Sequence, residues 1–452
     1  MLQGVSVLVA GAGLAGLAAA RDLVAMGASV TIVDARDRVG GRVSTVRTEF
    51  TEGQHAEAGA DMIDESHVEL LQLVERLGLK ALHVLRHGWS HARADEAGRI
   101  RAAARNGHSA WVRLSESLAG HAHHYRLAER RWDSPITADL ARRTVSQWLD
   151  DVQADPDLRA TALGLRGFFL ADPDELSLIA LVDQFASSDG VATQKVFRVD
   201  GGNDRVARVL AEHLGDRVKL DTELVAISQR GQTVRASLKH KRKTQQLSCD
   251  YLVCTLPATL LRRVPFTPAL PTQQHDAIAS LRYGRATKSL LQFSSRFWRV
   301  PGKPSAFGSP LTIGAVWDAN EEQRGKAAIL SLLAGGSASD ATSDLLRRDG
   351  AAGLARQLEW LGSQRAHLLA SHHVVWEDDP YARGGYAFFD SAFDPQLRPW
   401  LARPFGRLFF AGEHTSLQWQ GYMNGAVESG RRAAAEVAAT HRTAGRSLPP
   451  AP

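Results

Sequence analysis

Early in the chain, Gly11, Gly13 and Gly16 are spaced G-x-G-x-x-G, and an acid, Asp34, follows one helix and one strand later. Each residue suits a separate task. Gly11 makes a tight turn, Gly13 lets backbone approach a pyrophosphate, Gly16 permits close packing of helix on strand, and Asp34 can accept a bond from a ribose hydroxyl. A glycine triplet alone is a tight turn in any α/β fold. Here strand, glycines, helix, second strand and terminal acid occur in order, which points to a dinucleotide held at a helix N-terminus.

The elements that position these residues are legible in the pattern. VSVLVA, residues 5–10, reads as a short buried strand, LAGLAAARDLVAMG as an Ala-rich helix capped at Gly27, and SVTIV as a strand ending at Asp34. HVELLQLVERLGL, residues 67–79, has apolar residues at helical spacing, and the His- and Arg-rich region after it, up to about residue 150, is expected to be helical and peripheral. From FRVDGGNDRVARVLAEHLG the α/β pattern resumes with a glycine turn, an amphipathic helix and the strand material VKLDTELVAISQR and CDYLVCTLP. The basic run KHKRK, residues 239–243, lies between strand-like segments and reads as a solvated hairpin tip rather than a nucleic-acid patch. Lys288 falls among apolar strand residues, where an amine needs a partner or water, and the alternative is a lysine snorkelling at a strand edge. Near the far end, RLFFAGEHTSLQWQGYMNGAVESGRRAAAEV reads as strand, loop and a helix entered at GYMNGA.

Directly after Asp34, the run DARDRVGGRVST adds Arg36, Gly40, Gly41 and Arg42, and in this order it resembles the extended fingerprint of the flavin amine oxidase (monoamine oxidase-like) family. That resemblance implies FAD and a discontinuous Rossmann-type FAD-binding domain, α/β in class, with an inserted α+β substrate-binding domain and a helical subregion. The expected boundaries are 1–85, 195–275 and 395–452 for the cofactor domain, with 86–194 and 276–394 on the substrate side. It places Gly11, Gly13, Gly16, Asp34, Ala35, Arg36, Gly41, Arg42, Gly59, Ala60, Val225, Gly412, Glu413, Gly421, Tyr422 and Met423 at the cofactor. Val225 would meet the adenine through its backbone, and Glu413 the ribityl chain or phosphates. Lys288 would hold a water beside flavin N5. Tyr386 and Tyr422 would stand on either side of a channel in front of the flavin, an aromatic cage for an amine. Met62, His67 and Trp419 complete the substrate set.

The chain also departs from the family's pattern. Gly385 occupies the position where some monoamine oxidases carry the cysteine that bonds the flavin, so FAD is expected to be non-covalent. Asp34 stands for the usual Glu. His67 sits where amino-acid oxidases of the family carry an arginine for the substrate carboxylate, and a single-point imidazole contact argues against an α-amino acid. Asp64 and Glu65 are read first as a solvated helix N-terminus, and second as a preference for another positive charge.

Bulk properties bound the rest. A chain of 452 residues with 44% hydrophobic and 23% charged residues is an ordinary globular protein of more than one core. The net charge of +5 is diluted over this length. Its two cysteines, Cys249 and Cys254, lie five apart in one expected strand and point to opposite faces, so no disulfide or metal site is expected. No run reaches the roughly 20 apolar residues of a membrane span. The expectation is therefore a cytoplasmic enzyme whose partners are a small-molecule amine and O2, without nucleic acid, membrane or metal, and with a homodimer left open. Rival readings are an L-amino acid oxidase, a carotenoid desaturase-like or protoporphyrinogen oxidase-like FAD enzyme, and a catalytically idle FAD-binding module. The tail RSLPPAP is Pro-rich and carries no motif.

Overall fold

The computed structural model describes residues 1–95, 99–102, 107–129, 131–132, 134–186 and 195–446, so the Pro-rich tail lies outside the described residues after Arg446. A parallel five-stranded sheet runs in the order Val218–Lys219, Ser29–Val33, Ser6–Ala10, Tyr251–Cys254, Leu408–Phe410. Its strands come from the start, middle and end of the chain. Ser6–Ala10 is the central one, and alternate residues face two different cores: Val7 and Val9 pack toward the first and last helices, Leu8 and Ala10 toward the opposite layer. Burial on both faces is what a parallel sheet requires, and it explains the continuous apolar runs in the sequence.

The first helix, Leu14–Ala25, and the closing helix, Met423–Arg446, pack side by side on this sheet. Their approach depends on Gly430, where an added Cβ would lie 2.1 Å from the Ala15 carbonyl oxygen. The opposite layer is a four-stranded sheet of Thr222–Arg230, Thr233–His240, Lys243–Cys249 and Phe266–Thr267. The KHKRK run forms the turn of its hairpin, with Lys241 at positive φ. Cys249 ends a strand of this sheet whereas Cys254 ends a strand of the parallel one, so they do not share a strand as expected. Both thiols are free and buried, and burial pushes them up to about 11 and about 12, which keeps them unreactive.

A second, seven-stranded sheet is largely antiparallel and runs from Leu368–Val375 through Ala286–Phe293, Ala328–Gly335, Ala315–Asp318, Ala306–Gly308 and Trp89–Ala94 to Ile100–Ala102. All eight residues of Ala286–Phe293 are buried between two neighbours, so Lys288 is not at a strand edge. The region after residue 86 differs from the expectation of a peripheral helical stretch. It begins with two strands of this sheet, and its helices bury Leu114, Leu118, Tyr125 and Trp148 in a core shared with Leu8 and Ala10. Polar residues there mark outer helix faces, and the spaced apolar positions between them carry the packing. The architecture is α/β, Rossmann-type, with an inserted α+β layer and a helical subregion. Among the described residues no helix is long and apolar enough to cross a membrane.

Candidate active site

A cavity of about 690 Å³ runs between the two sheets, and its wall is drawn from both ends of the chain. On this wall lie Gly11, Gly13, Asp34, Ala35, Arg36, Gly41, Arg42 and Val225. Gly11 adopts φ +108°, which L side chains rarely take, and a Cβ there would fall 2.3 Å from Thr255 Oγ1. Gly16 is not on the wall. It supports the wall from behind, since a Cβ would stand 1.8 Å from the Gly11 carbonyl oxygen. Gly13 and Gly41 face each other, and the glycine turn is laced to the second loop by the Gly40 N–H donating to Ala12 O at 2.9 Å. Two glycine-lined backbones and the N-terminus of the first helix thus form a cradle without side chains, which fits a diphosphate.

Two expected ligands also carry internal duties. Asp34 accepts from the Ala12 N–H at 2.7 Å and the Arg36 N–H at 2.9 Å, so its carboxylate braces the glycine turn, and burial raises its pKa. The Arg36 guanidinium, expected on the diphosphate, is instead closed bidentately on Asp379 at 2.9 and 2.6 Å.

The closing segment returns to the cavity through Gly412, Glu413, Trp419, Gly421, Tyr422 and Met423. Glu413 is 6% exposed and holds three segments together. One of its oxygens accepts from Arg42 Nη1 at 2.9 Å and the Ala387 N–H at 3.3 Å, the other from the Gly421 N–H at 2.8 Å, while Arg42 also donates to Gly385 O at 2.8 Å. The expected ribityl or phosphate ligand is therefore already engaged with protein donors. Its pair with Arg42 joins the two loops that carry Tyr386 and Tyr422. Gly421 permits a close approach, because a Cβ there would sit 3.3 Å from the Tyr386 ring. Gly425 does the same for the preceding loop, lying under the Trp419 carbonyl, where a Cβ would come within 2.1 Å. At the covalent-attachment position, a Cβ on Gly385 would meet Leu170 at 2.4 Å and Ala286 at 2.9 Å, so the packing leaves little room for a cysteine.

Gly59, Ala60, Met62, Lys288, Tyr386, Trp419 and Tyr422 are on the same wall. The Tyr386 hydroxyl donates to Phe168 O and the Tyr422 hydroxyl to Gln184 Oε1, which ties both rings to the helical subregion. Burial raises both phenol pKa values, so each stays neutral. Lys288 Nζ donates to Gly59 O at 2.9 Å and Asp61 Oδ2 at 3.0 Å. Sequence reasoning missed Asp61, Phe168, Gln184 and Trp317, all on the wall. Asp61 stood in a quoted segment, but nothing local links it to a lysine 227 positions away.

His67 is not on the wall. It is 1% exposed and packs edge-on against Trp419 and tilted against Tyr422, with ring centroids 5.1 and 4.9 Å away. Its Nδ1 accepts from the Asp64 N–H at 3.0 Å, an internal bond that orients the ring behind the tyrosine. Asp64 is more enclosed than a solvated helix N-terminus, and burial pushes it up to about 6, whereas Glu65 is exposed and pairs with Lys195 at 3.2 Å.

Burial lowers His67 to about 3 from its ordinary 6.5. Below about pH 6.5 the unfolded chain therefore takes up a proton that the folded chain refuses, so this group's stability contribution is lost as pH falls toward 3. His67→Gln should flatten the acid side of the unfolding free energy by about 1.4 kcal/mol per pH unit between about pH 5.5 and 4, measured by urea unfolding. Parallel slopes in the two proteins would show that His67 protonates in the folded state.

A glycine-lined cradle and, on the same cavity wall, a buried amine with two neutral tyrosines fit a flavin-dependent oxidoreductase. The profile described as flavin containing amine oxidoreductase matches residues 14–438, and the chain belongs to that family. It is 26% identical to the flavin-containing amine oxidase A of Sus scrofa over 96% of this chain and 85% of that protein. The solved cyclohexylamine oxidase of Brevibacterium oxydans IH-35A superposes with a TM-score of 0.84 and 26% identity, covering 97% of this chain and 99% of that one. A putrescine oxidase double mutant superposes equally well, with a TM-score of 0.84 over 96% of this chain and 99% of its own, and at 23% identity that likeness carries the fold. The protein is an FAD-dependent amine oxidoreductase.

Proposed function

We propose that the protein oxidises an apolar amine to an imine, with O2 as the terminal acceptor. FAD, when bound, would supply the two-electron oxidant for loss of hydride from the amine's α-carbon; water would convert the imine to a carbonyl compound and O2 would take the electrons on to H2O2. The residues of this chain bind, orient and exclude water. Gly11, Gly13 and Gly41 with the first helix N-terminus would hold the diphosphate, and Val225, also on the wall, would meet the adenine through its backbone. The N-terminus of the closing helix, at Met423, would stabilise negative charge on the reduced cofactor's pyrimidine.

The observation that carries this reading is that Tyr386, Tyr422 and Lys288 line one cavity together. Hydroxyls fixed on the wall residues Phe168 and Gln184 hold the tyrosine rings, whose faces would steer the amine, charged on arrival and neutral when it reacts. Phe168, Phe169, Leu176, Trp317 and Leu333 on the wall favour an apolar amine substituent. Of the four wall arginines, Arg36 and Arg42 are engaged with Asp379 and Glu413, while Arg263 and Arg383 also line the wall, so the amino acids in the panel below test for a carboxylate clamp directly. Residues 1–85, 195–275 and 395–452 are read as the cofactor domain and 86–194 with 276–394 as the substrate side.

The test is anaerobic mixing of FAD-loaded protein with a panel of apolar amines and amino acids, followed by air. Bleaching of the yellow colour by an amine and peroxide on aeration are expected. No bleaching by any amine would leave an idle FAD-binding protein. Tyr422→Ala should lower kcat/KM at least about tenfold while the Kd for FAD stays within about twofold; tenfold corresponds to about 1.4 kcal/mol of positioning. Equal activity would remove the cage.

A further inference from the structure

Lys288 lies in the interior of the seven-stranded sheet and is 3% exposed, a position in which an ammonium needs a fixed counter-charge. That counter-charge is Asp61. Its Oδ2 accepts from Lys288 Nζ at 3.0 Å and from Trp317 Nε1 at 2.9 Å, and its Oδ1 from Arg198 Nε at 2.5 Å. Its backbone carbonyl accepts from Asn203 Nδ2 at 2.7 Å. Held by three donors, on a backbone pinned by a fourth, this carboxylate has little freedom to move. An ammonium has three donors, and Lys288 gives two to Asp61 and Gly59 O. The third remains for the cavity whose wall Lys288 forms.

We propose that Asp61 is a positioning residue that holds the Lys288 amine in one place and in its protonated state, with Arg198 keeping Asp61 ionised. The proposal rests on the reading above, in which Lys288 serves amine oxidation. Charged and titratable groups face this pair from several elements. Arg198 comes from the strand Val196–Val199 and is itself backed by Glu322 at 3.3 Å and by the Asp318 carbonyl at 3.0 Å. Glu57 comes from Ala56–Glu57, where burial and the nearby Asp61 charge push its pKa up. Lys288 feels desolvation that lowers its pKa, opposed first by Asp61 and then by Glu57, with Arg198 acting against the charge. Asp61 is thus the group that offsets the desolvation of the amine.

Asp61→Asn keeps the shape and removes the charge, leaving Lys288 and Arg198 as neighbouring cations. Since arginine does not deprotonate, the lysine should yield. The oxidised FAD absorbance of the holoenzyme is titrated between about pH 6 and 9 without any amine, and anaerobic flavin reduction by an amine is followed over the same range. Wild type should show no lysine-dependent ionisation. Asp61→Asn should show a new spectral ionisation, with the loss of reduction rate at least about tenfold greater at pH 8 than at pH 6. The ionisation should persist in Glu57→Gln/Asp61→Asn, where Glu57 cannot take over the charge, and vanish in Asp61→Asn/Lys288→Met.

Asp61→Glu keeps the charge but displaces it, so the spectrum should stay flat while the limiting reduction rate falls at least about threefold. That variant decides the matter if Asp61→Asn does not fold. An unchanged rate in Asp61→Glu, a pH-independent loss in Asp61→Asn, or an ionisation surviving Lys288→Met would overturn the proposal. The amine-free titration separates these outcomes from a failure of the amine oxidase reading itself, because it requires no substrate.

Discussion

Gly16→Ala should bind FAD at least about 100-fold more weakly than the wild type, a loss of about 2.7 kcal/mol, and should purify largely colourless. The added Cβ would stand 1.8 Å from the Gly11 carbonyl oxygen and 3.0 Å from its carbon. Both are backbone atoms, so no side-chain rotation relieves the overlap and the first helix must withdraw from the turn. Its N-terminus then no longer faces the diphosphate with the N–H groups aimed at it. The measurement is a fluorescence titration of apoprotein with FAD. Gly120→Ala is the control: no atom lies within 4 Å of its added Cβ in the helix Gly107–Leu127, and Ala there should leave affinity unchanged and raise stability by about 0.5–1 kcal/mol. A Kd for Gly16→Ala within about threefold of wild type would refute the packing argument.

Arg42→Ala should lower the unfolding free energy by about 3 kcal/mol and reduce turnover at least about 100-fold. Removing one member of a buried pair leaves an uncompensated charge, at a cost of about 3–5 kcal/mol, and the lower end applies because part of the arginine side chain faces the cavity. What is lost is more than the Glu413 contact at 2.9 Å. Arg42 also donates to Gly385 O at 2.8 Å, next to Tyr386, and Glu413 in turn accepts from the Gly421 N–H at 2.8 Å, next to Tyr422. Without the guanidinium the two tyrosine loops lose their common anchor, so turnover should fall more than stability alone explains. Glu413→Gln, which keeps acceptor and shape but not charge, should fall between the two proteins. Urea unfolding and steady-state kinetics check both expectations, and an unchanged unfolding midpoint in Arg42→Ala would contradict them.

The parts of this protein that could be read from residue order are those governed by short-range rules. Gly11 and Gly16 act through atoms only a few positions away or on the adjoining strand, and alternating or helical apolar spacing depends on local geometry alone, so the nucleotide cradle and its helix were legible. The helical reading of the region after residue 86 failed at its first two strands because Trp89–Ala94 is recruited by Ala306–Gly308, more than two hundred positions away, and Ile100–Ala102 then pairs back onto it as the sheet's edge.

The chain by itself therefore determined its cofactor class, its family and many of the residues that line the cavity, though not Asp61, Phe168, Gln184 or Trp317, since the former follow from glycine stereochemistry and recurring local patterns. Only the tertiary structure decided which charges are engaged internally. Arg36 closes on Asp379, Glu413 on Arg42 and Lys288 on Asp61, the last two pairs separated by 371 and 227 positions. It likewise placed His67 behind the tyrosine rather than on the wall. A buried charge takes whichever partner the folded packing brings within reach, and no spacing along the chain encodes that choice.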